Sequence, residues 1–242
     1  MSSSRFGKAE GRRRIIPVAA LLLCATLFSA LGLWQIKRLA WKEALIAHVE
    51  AVTKAPPIPA ASLPFAPAPE ALEYRHVTLS GRFEPQATAL TTALTELGGG
   101  YWQMVPLRLP DGRAIWVNRG FLPQGTKREA AIALVPHGPV SITGLLRRAE
   151  PDHDILRAND PATERWYFRA IPQLSAARHL PAAAWFVDAQ GAPQHAPAQP
   201  GDATPGLTVL AFPNNHLQYA LTWFAMALGS LAAIALVLRH RG

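Results

Sequence analysis

Two long apolar runs, one near each end of the chain, constrain the fold more than any other feature. Residues 15–34 form a 20-residue stretch without a charged side chain, and residues 217–238 form a second stretch of 22 residues. A helix of about 20 residues is roughly 30 Å long, which matches the hydrocarbon thickness of a bilayer. We therefore predict an integral membrane protein with transmembrane helices at 15–34 and 217–238.

Each run has an alternative interpretation. The first could be a cleaved signal peptide, but it is longer than a typical signal-peptide core and lacks a good cleavage site. The second could be a buried helix of a soluble protein, but such helices are rarely apolar on every side over this length. We favour two membrane spans.

The distribution of basic residues predicts how the chain crosses the membrane. Of 24 Lys and Arg residues, five lie in residues 1–14 and two in residues 239–242. Cytoplasmic flanks of membrane helices carry such an excess, so we predict cytoplasmic tails at both ends and an extracytoplasmic segment at 35–216. Most of the excess positive charge lies outside this segment. A nucleic-acid-binding domain would carry that excess itself, so the distribution argues against nucleic-acid binding. Three basic residues at the outer end of the first helix weaken the asymmetry without reversing it: Lys37, Arg38 and Lys42.

The segment between the runs changes pattern along its length. Residues 35–52 continue a helical periodicity. Residues 55–69 contain six prolines, which exclude a helix or an interior strand and predict an extended linker. From residue 73 apolar and polar residues alternate, as in half-buried strands.

These alternations predict a mainly antiparallel β domain of α+β class, with an open sheet that curls toward a barrel. A Pro-Asp-Gly turn at 110–112 predicts a hairpin. We expect one short helix at 172–179. The predicted strands are 76–83, 101–109, 113–122, 140–146, 166–170, 185–187 and 207–210.

Signs of catalysis are missing from the sequence. The single cysteine, Cys24, lies in the first apolar run, so the domain has neither a disulfide nor a cysteine nucleophile. Residues 152–154 (Asp-His-Asp) could hold a metal, but adjacent residues rarely converge on one ion, so we interpret them as a solvated loop. We expect the protein not to be an enzyme.

The outer ends of the two runs carry the most informative side chains. Tryptophan and basic residues around Trp34 are typical of interface anchoring, which does not explain Gln35. His216 lies where the second helix enters the membrane, and an interfacial imidazole can serve as an axial haem ligand. A solvated histidine at a helix start is an equally good interpretation. Tyr219 and Trp223 share its helix face and are candidate pocket walls.

Six stretches in this order resemble the surfeit locus 1 family of cytochrome c oxidase assembly factors. Phe121 stands where the family often has tryptophan. The matching stretches are 31–35 with Arg38 and Lys42, 74–83, 117–123, 144–147, 159–161 with 166–167, and 214–224.

The resemblance implies a non-enzymatic role in maturing subunit I of haem-copper oxidases, and bacterial members are implicated in handling haem a. The family's haem-associated histidine maps onto His216, and its Gly-x-Trp motif maps onto Gly32 and Trp34. We therefore expect an assembly factor of the bacterial inner membrane. In it His216 would be the axial ligand of haem iron, beside Trp34, Tyr219 and Trp223.

The expected partners are subunit I of the oxidase, a haem A synthase and the lipid bilayer. A second hypothesis is a membrane scaffold that holds oxidase subunits without a cofactor of its own. Small residues in the second helix would suit such helix packing. A third, an extracytoplasmic enzyme, has neither a nucleophile nor a metal cluster to support it.

Overall fold

The computed structural model describes residues 4–66, 70–190, 201–207 and 213–239, and their side chains from residue 15 onward. The chain forms two compact units. The first comprises residues 1–48 and 211–242, and the second comprises residues 49–210.

The regular elements of the described residues are four α-helices and seven strands. The helices are α1 (Ser4–Lys54), α2 (Arg128–Ala133), α3 (Ile171–Ala177) and α4 (His216–Arg239). The strands are β1 (Ile58–Pro59), β2 (His76–Phe83), β3 (Ala89–Thr95), β4 (Gly98–Arg108), β5 (Ala114–Pro123), β6 (Pro139–Arg148) and β7 (Ala182–Ala189).

The two apolar runs form the helices of the first unit. Helix α1 continues without a break through both the predicted span at 15–34 and the helical extension at 35–52. Helix α4 covers the second run. By length and composition, residues 15–54 of α1 and the whole of α4 are apolar enough to cross a membrane.

Helices α1 and α4 pack against each other in antiparallel orientation. The least exposed positions on each helix alternate by three and four residues, the spacing of heptad-type helix pairs. Small side chains allow close approach along this stripe, among them Ala25, Ala220 and Ala227, all nearly fully buried. The stripe comprises residues 18, 21, 25, 28, 32 and 35 of α1, and 216, 220, 223, 227, 230, 234 and 237 of α4. On α1 the same spacing of partly buried positions continues through 39 and 42, past the first residue of α4.

The second unit is built on one seven-stranded sheet with the order β1-β2-β6-β7-β5-β4-β3. Strand β2 also pairs with β4, through Arg82 with Arg108 and Phe83 with Leu107, which closes five strands into a barrel. The β1–β2 and β5–β7 pairs are parallel, and the other pairs are antiparallel. The sequence prediction of a mainly antiparallel, barrel-like sheet is confirmed.

Strand β5 is buried on both sides and anchors the core of this unit. Ile115 and Val117 belong to one apolar cluster, together with Trp185 and other residues. Trp116 points the opposite way into a second cluster, which includes Ile171 of α3. Successive side chains of β5 thus alternate between the two clusters, as in any strand.

Of the proline-rich stretch at 55–69, residues 55–66 are described, and they do more than link the helix to the sheet. Residues 58–59 form β1 at the sheet edge, where prolines are tolerated. Ala60 and Leu63 are buried in the core, and Arg113 donates hydrogen bonds to the Ala61 and Leu63 carbonyl oxygens.

The predicted strand at 166–170 is wrong. The side chain of Asn159 accepts hydrogen bonds from the N–H groups of Tyr167 and Phe168 and donates one to the Phe168 carbonyl. A side-chain amide thus replaces a partner strand, and only isolated bridges form here, such as Thr91 with Trp166. Of the predicted strand at 207–210, residues 208–210 lie outside the described residues.

Candidate cofactor site at the helix pair

His216 is the first residue of α4 and contacts Gln35 of α1. The His216 Nδ1 atom lies 2.7 Å from Gln35 Oε1. An amide oxygen only accepts hydrogen bonds, so Nδ1 carries the proton and donates it. In the neutral ring Nε2 then keeps its lone pair. The contact with Gln35 fixes the ring in the way that a second hydrogen-bond partner fixes a metal-binding histidine.

The helix interface next to this contact is closely packed. Gly32 lies one turn before Gln35, and a Cβ atom there would be 2.7 Å from the Phe224 ring of α4. Further along the pair, the rings of Phe28 and Trp223 stack with centroids 5.7 Å apart. These contacts hold α1 and α4 at a separation that brings Gln35 to His216.

The four residues predicted for the cofactor site lie in different surroundings. His216 is partly buried and bonded to Gln35. Trp34 and Tyr219 are both 55% exposed, on the flanks of the interface stripe. Trp223 lies on the stripe itself, where Phe28 occupies one of its ring faces. The assignment of these side chains to a haem pocket stays a prediction.

Gln35 is the site residue that the sequence prediction lacked. It is polar but only 8% exposed. Its signal in the sequence was its position, because it falls on the same heptad stripe as Gly32. A polar side chain on a packing stripe needs a partner on the facing helix, and His216 is that partner.

The donor set limits which metal group could bind here. In the part of the chain that the structure describes, no group of three or more His, Cys, Asp and Glu side chains could hold a metal ion. A lone imidazole suits iron in a porphyrin, because the macrocycle supplies the equatorial nitrogens and the protein only an axial ligand. His216 therefore fits a haem better than a bare ion.

The Asp-His-Asp sequence at 152–154 forms a loop whose carboxylates already have partners. Asp154 accepts hydrogen bonds from the backbone N–H groups of Leu156 and Arg157, and these bonds lower its pKa. Asp152 bonds to the His153 ring, which lowers the pKa of Asp152. This geometry agrees with a solvated loop.

The stretch of β5 at 117–123 has a structural role. Asn118 donates to Asp188 and accepts from the Gly120 N–H, while Arg119 pairs with Asp202. Gly120 has a φ of +139°, and a Cβ there would lie 2.4 Å from the Thr204 backbone. These residues fasten the segment 201–207 to the barrel.

Asp188 of β7 is the centre of a buried ionic network. Its side chain is 3% exposed and accepts hydrogen bonds from Asn118, Arg147 and Arg169. Arg169 also pairs with Glu150. A cleft of about 740 Å³ opens over the two arginines and Trp102. Because carboxylates neutralise both guanidinium groups, the cleft offers no unbalanced positive charge to an anion.

Comparison with known proteins gives this arrangement a family. The SURF1 family model matches residues 22–228, which include Gln35, the whole barrel and His216. The chain belongs to the SURF1 family. Similar proteins include Surfeit locus protein 1 of Takifugu rubripes, 31% identical over 85% of this chain and 90% of that protein. Another is the Mus musculus protein of the same name, 32% identical over 85% of this chain and 70% of that protein.

A SURF1-like protein of Monosiga brevicollis is 32% identical over 92% of this chain and 87% of that protein. The family resemblance of the sequence is thus confirmed across both helices and the domain. Membership of the SURF1 family implies a role in cytochrome c oxidase assembly. Within the family stretches, those of the barrel build the fold, and those at the helix ends bring Gln35 and His216 together.

Proposed function

We propose that this SURF1 family member is an assembly factor of the bacterial inner membrane that handles haem a for subunit I of a haem-copper cytochrome c oxidase. Helices α1 and α4 would span the membrane, with both termini in the cytoplasm and the barrel outside. The basic residues at the two ends of the chain support this topology.

One observation carries the proposal: the hydrogen bond between Gln35 Oε1 and His216 Nδ1 at the end of the helix pair. It gives a lone histidine a fixed tautomer and orientation, which a merely solvated histidine at a helix start does not need. His216 would hold the haem iron through Nε2. The haem would be cargo whose chemistry belongs to the oxidase, so this chain needs to bind and release it rather than react with it.

The surroundings of His216 support a flat, largely apolar ligand. Trp34 and Tyr219 each expose about half of their surface on the helix flanks, where they could contact a macrocycle. Trp223 lies further along α4 from His216 and would support the site through its stacking on Phe28. A partly apolar location lets a porphyrin remain in the membrane while its carboxylates reach water.

The experiment separates haem delivery from other forms of assistance. The gene is deleted, and haem a and subunit I are each quantified in membranes, by spectrum and by immunoblot. We expect the ratio of haem a to subunit I to fall, the wild-type gene to restore it, and His216→Ala to fail at normal protein level. Full restoration by His216→Ala would contradict the proposal.

A second candidate function is a scaffold that binds oxidase subunits without haem. The exposed apolar faces of the helices favour it, since Leu33, Leu221 and Leu228 are each more than half exposed away from the stripe. A scaffold predicts that subunit I and haem a decline in proportion after deletion. It also predicts that subunit I co-purifies with the chain when haem a synthesis is blocked.

A further inference from the structure

Three basic residues follow Gln35 on α1, at the end of the helix pair where the topology argument expects few positive charges. They are Lys37, Arg38 and Lys42. General anchoring by basic side chains would place them anywhere around the helix. Two of the three lie on the side of α1 that carries Gln35, and the third lies on the opposite side.

Arg38 and Lys42 lie on the same side of α1 as Gln35. With 3.6 residues per turn, Arg38 is about 60° and Lys42 about 20° around the helix from Gln35, whereas Lys37 is about 160° away. Along the axis they lie about 4.5 Å and about 10.5 Å beyond Gln35. Helix α4 begins at His216, opposite Gln35, so both residues lie past the start of α4.

The side chain of Arg38 is held in a defined direction. Its guanidinium carbon lies 3.9 Å from the centroid of the Trp41 ring. Trp34 and Trp41 are on this same flank and are 55% and 50% exposed. The flank thus presents two tryptophan surfaces and the Arg38 guanidinium beside the His216–Gln35 pair, and Lys42 lies between this flank and the stripe.

We propose that Arg38 and Lys42 form a carboxylate-binding subsite for the propionate edge of the porphyrin bound by His216. The inference rests on the proposed haem function and adds the residues that orient the ligand. A porphyrin held at His216 has an apolar rim that suits the membrane and an acidic rim that must leave it. The two cations lie on the outward side of His216, where the acidic rim would emerge.

The test uses the full-length chain in nanodiscs of phosphatidylcholine, titrated with haem a and with haem a dimethyl ester. The ester lacks both negative charges but keeps the iron and the macrocycle. We expect the wild type to bind the acid about tenfold more tightly than the ester. Arg38→Gln and Lys42→Gln should each weaken acid binding about threefold, as expected for charge-assisted contacts at a partly exposed site, and leave ester binding unchanged.

Lys37→Gln is the matched control, because it removes the same charge from the opposite side of the helix. Unchanged acid preference in Lys37→Gln supports the subsite. Equal affinity of the wild type for acid and ester overturns the subsite while leaving the haem function intact. Binding of neither form by the wild type overturns both.

A phosphate of a lipid headgroup is the other group that these cations could hold. A second titration therefore uses nanodiscs that contain phosphatidylglycerol. If the variants change the retention of that lipid but not the preference for acid over ester, the cations serve the lipid and the proposal is wrong. Retention of the acid preference in both lipids supports it.

Discussion

Gln35 and His216 lie 181 residues apart in the sequence, and a 2.7 Å hydrogen bond joins them across the helix pair. The bond satisfies a buried amide and fixes an imidazole at the same time. Since Gln35 lies on the packing stripe of α1, the alignment of the helices and the orientation of the histidine depend on each other. The same contact therefore has a structural consequence and, in the proposed function, a ligand-binding one.

Replacing Gln35 by Leu should weaken haem binding without separating the helices. Leucine keeps the volume on the stripe but removes the acceptor for Nδ1–H, so the ring loses its fixed orientation. Loss of such a supporting bond typically costs about 10- to 100-fold in metal affinity. The measurement is haem titration of the full-length chain, followed at the Soret band.

Gln218→Leu is the control, because Gln218 is an exposed residue of α4. It should bind haem as the wild type does. If Gln35→Leu also bound haem with wild-type affinity, the hydrogen bond would have no role in positioning His216.

Gly32→Ala should destabilise the helix pair, because the added methyl group would clash with one side chain of α4. The three atoms nearest to the added Cβ all belong to the Phe224 ring, at 2.7 to 2.9 Å. Overpacking of this kind costs about 1–3 kcal/mol. Gly229→Ala on α4 meets nothing within 4 Å and should be harmless. Thermal unfolding in detergent measures both effects.

The Gly32→Ala effect has a specific suppressor. In the Gly32→Ala, Phe224→Ala double variant the clash is absent, so the additional cost of the Gly32 substitution should disappear in a double-mutant cycle. Additive costs would show that Gly32 does not pack against Phe224.

Gly120→Ala should unfold or strongly destabilise the barrel. Its φ of +139° is unfavourable for alanine, and the added Cβ would lie 2.4 Å from Thr204 backbone atoms that cannot rotate away. Backbone strain and overpacking together cost about 3 kcal/mol or more. Gly99→Ala in β4 is the matched control, because its nearest neighbour is 3.7 Å away. A similar melting temperature for the two variants would refute this account of β5.

Lowering the pH should destabilise the barrel, because Glu150 then loses its negative charge. Burial acts to raise the pKa of Glu150, but the charge and hydrogen bonds of Arg169 outweigh it, and the pKa is lowered from its ordinary value of 4.5. A lowered pKa means that the ionised carboxylate stabilises the fold above the ordinary value, and that this contribution is lost as the pH falls below it.

The measurement compares the melting temperatures of the wild type and Glu150→Gln as a function of pH. At about pH 6 the variant should be less stable, and the difference should shrink as the pH falls to about 3. A constant difference over this range would show that the Glu150 charge contributes nothing to stability.

Some elements of the fold can be predicted from the sequence pattern, and others cannot. Strand β2 alternates apolar and polar residues, so its position was predicted. Strand β3 was missed because its pattern is inverted: the small or polar Ala89, Thr91 and Ala93 are buried, whereas Leu94 is 87% exposed. Helix α2 was missed because six residues are too few for a helical period to be visible.

The candidate site was only half visible in the sequence. His216 was predicted from its position at the start of the second apolar run together with the family resemblance, which maps a haem-associated histidine onto it. Gln35 was not assigned a role, since its partner is 181 residues away and only the pairing of the helices brings the two together. Helix pairing depends on which faces of α1 and α4 meet, and periodicity within one helix does not specify the facing residue on another.

The most direct measurement is the absorption spectrum of the purified full-length chain after co-expression with a haem A synthase. The account predicts a haem a Soret band in the wild type, its loss in His216→Ala, and a weakened band in Gln35→Leu. A band of equal intensity and position in His216→Ala would contradict the central claim that His216 binds the haem iron.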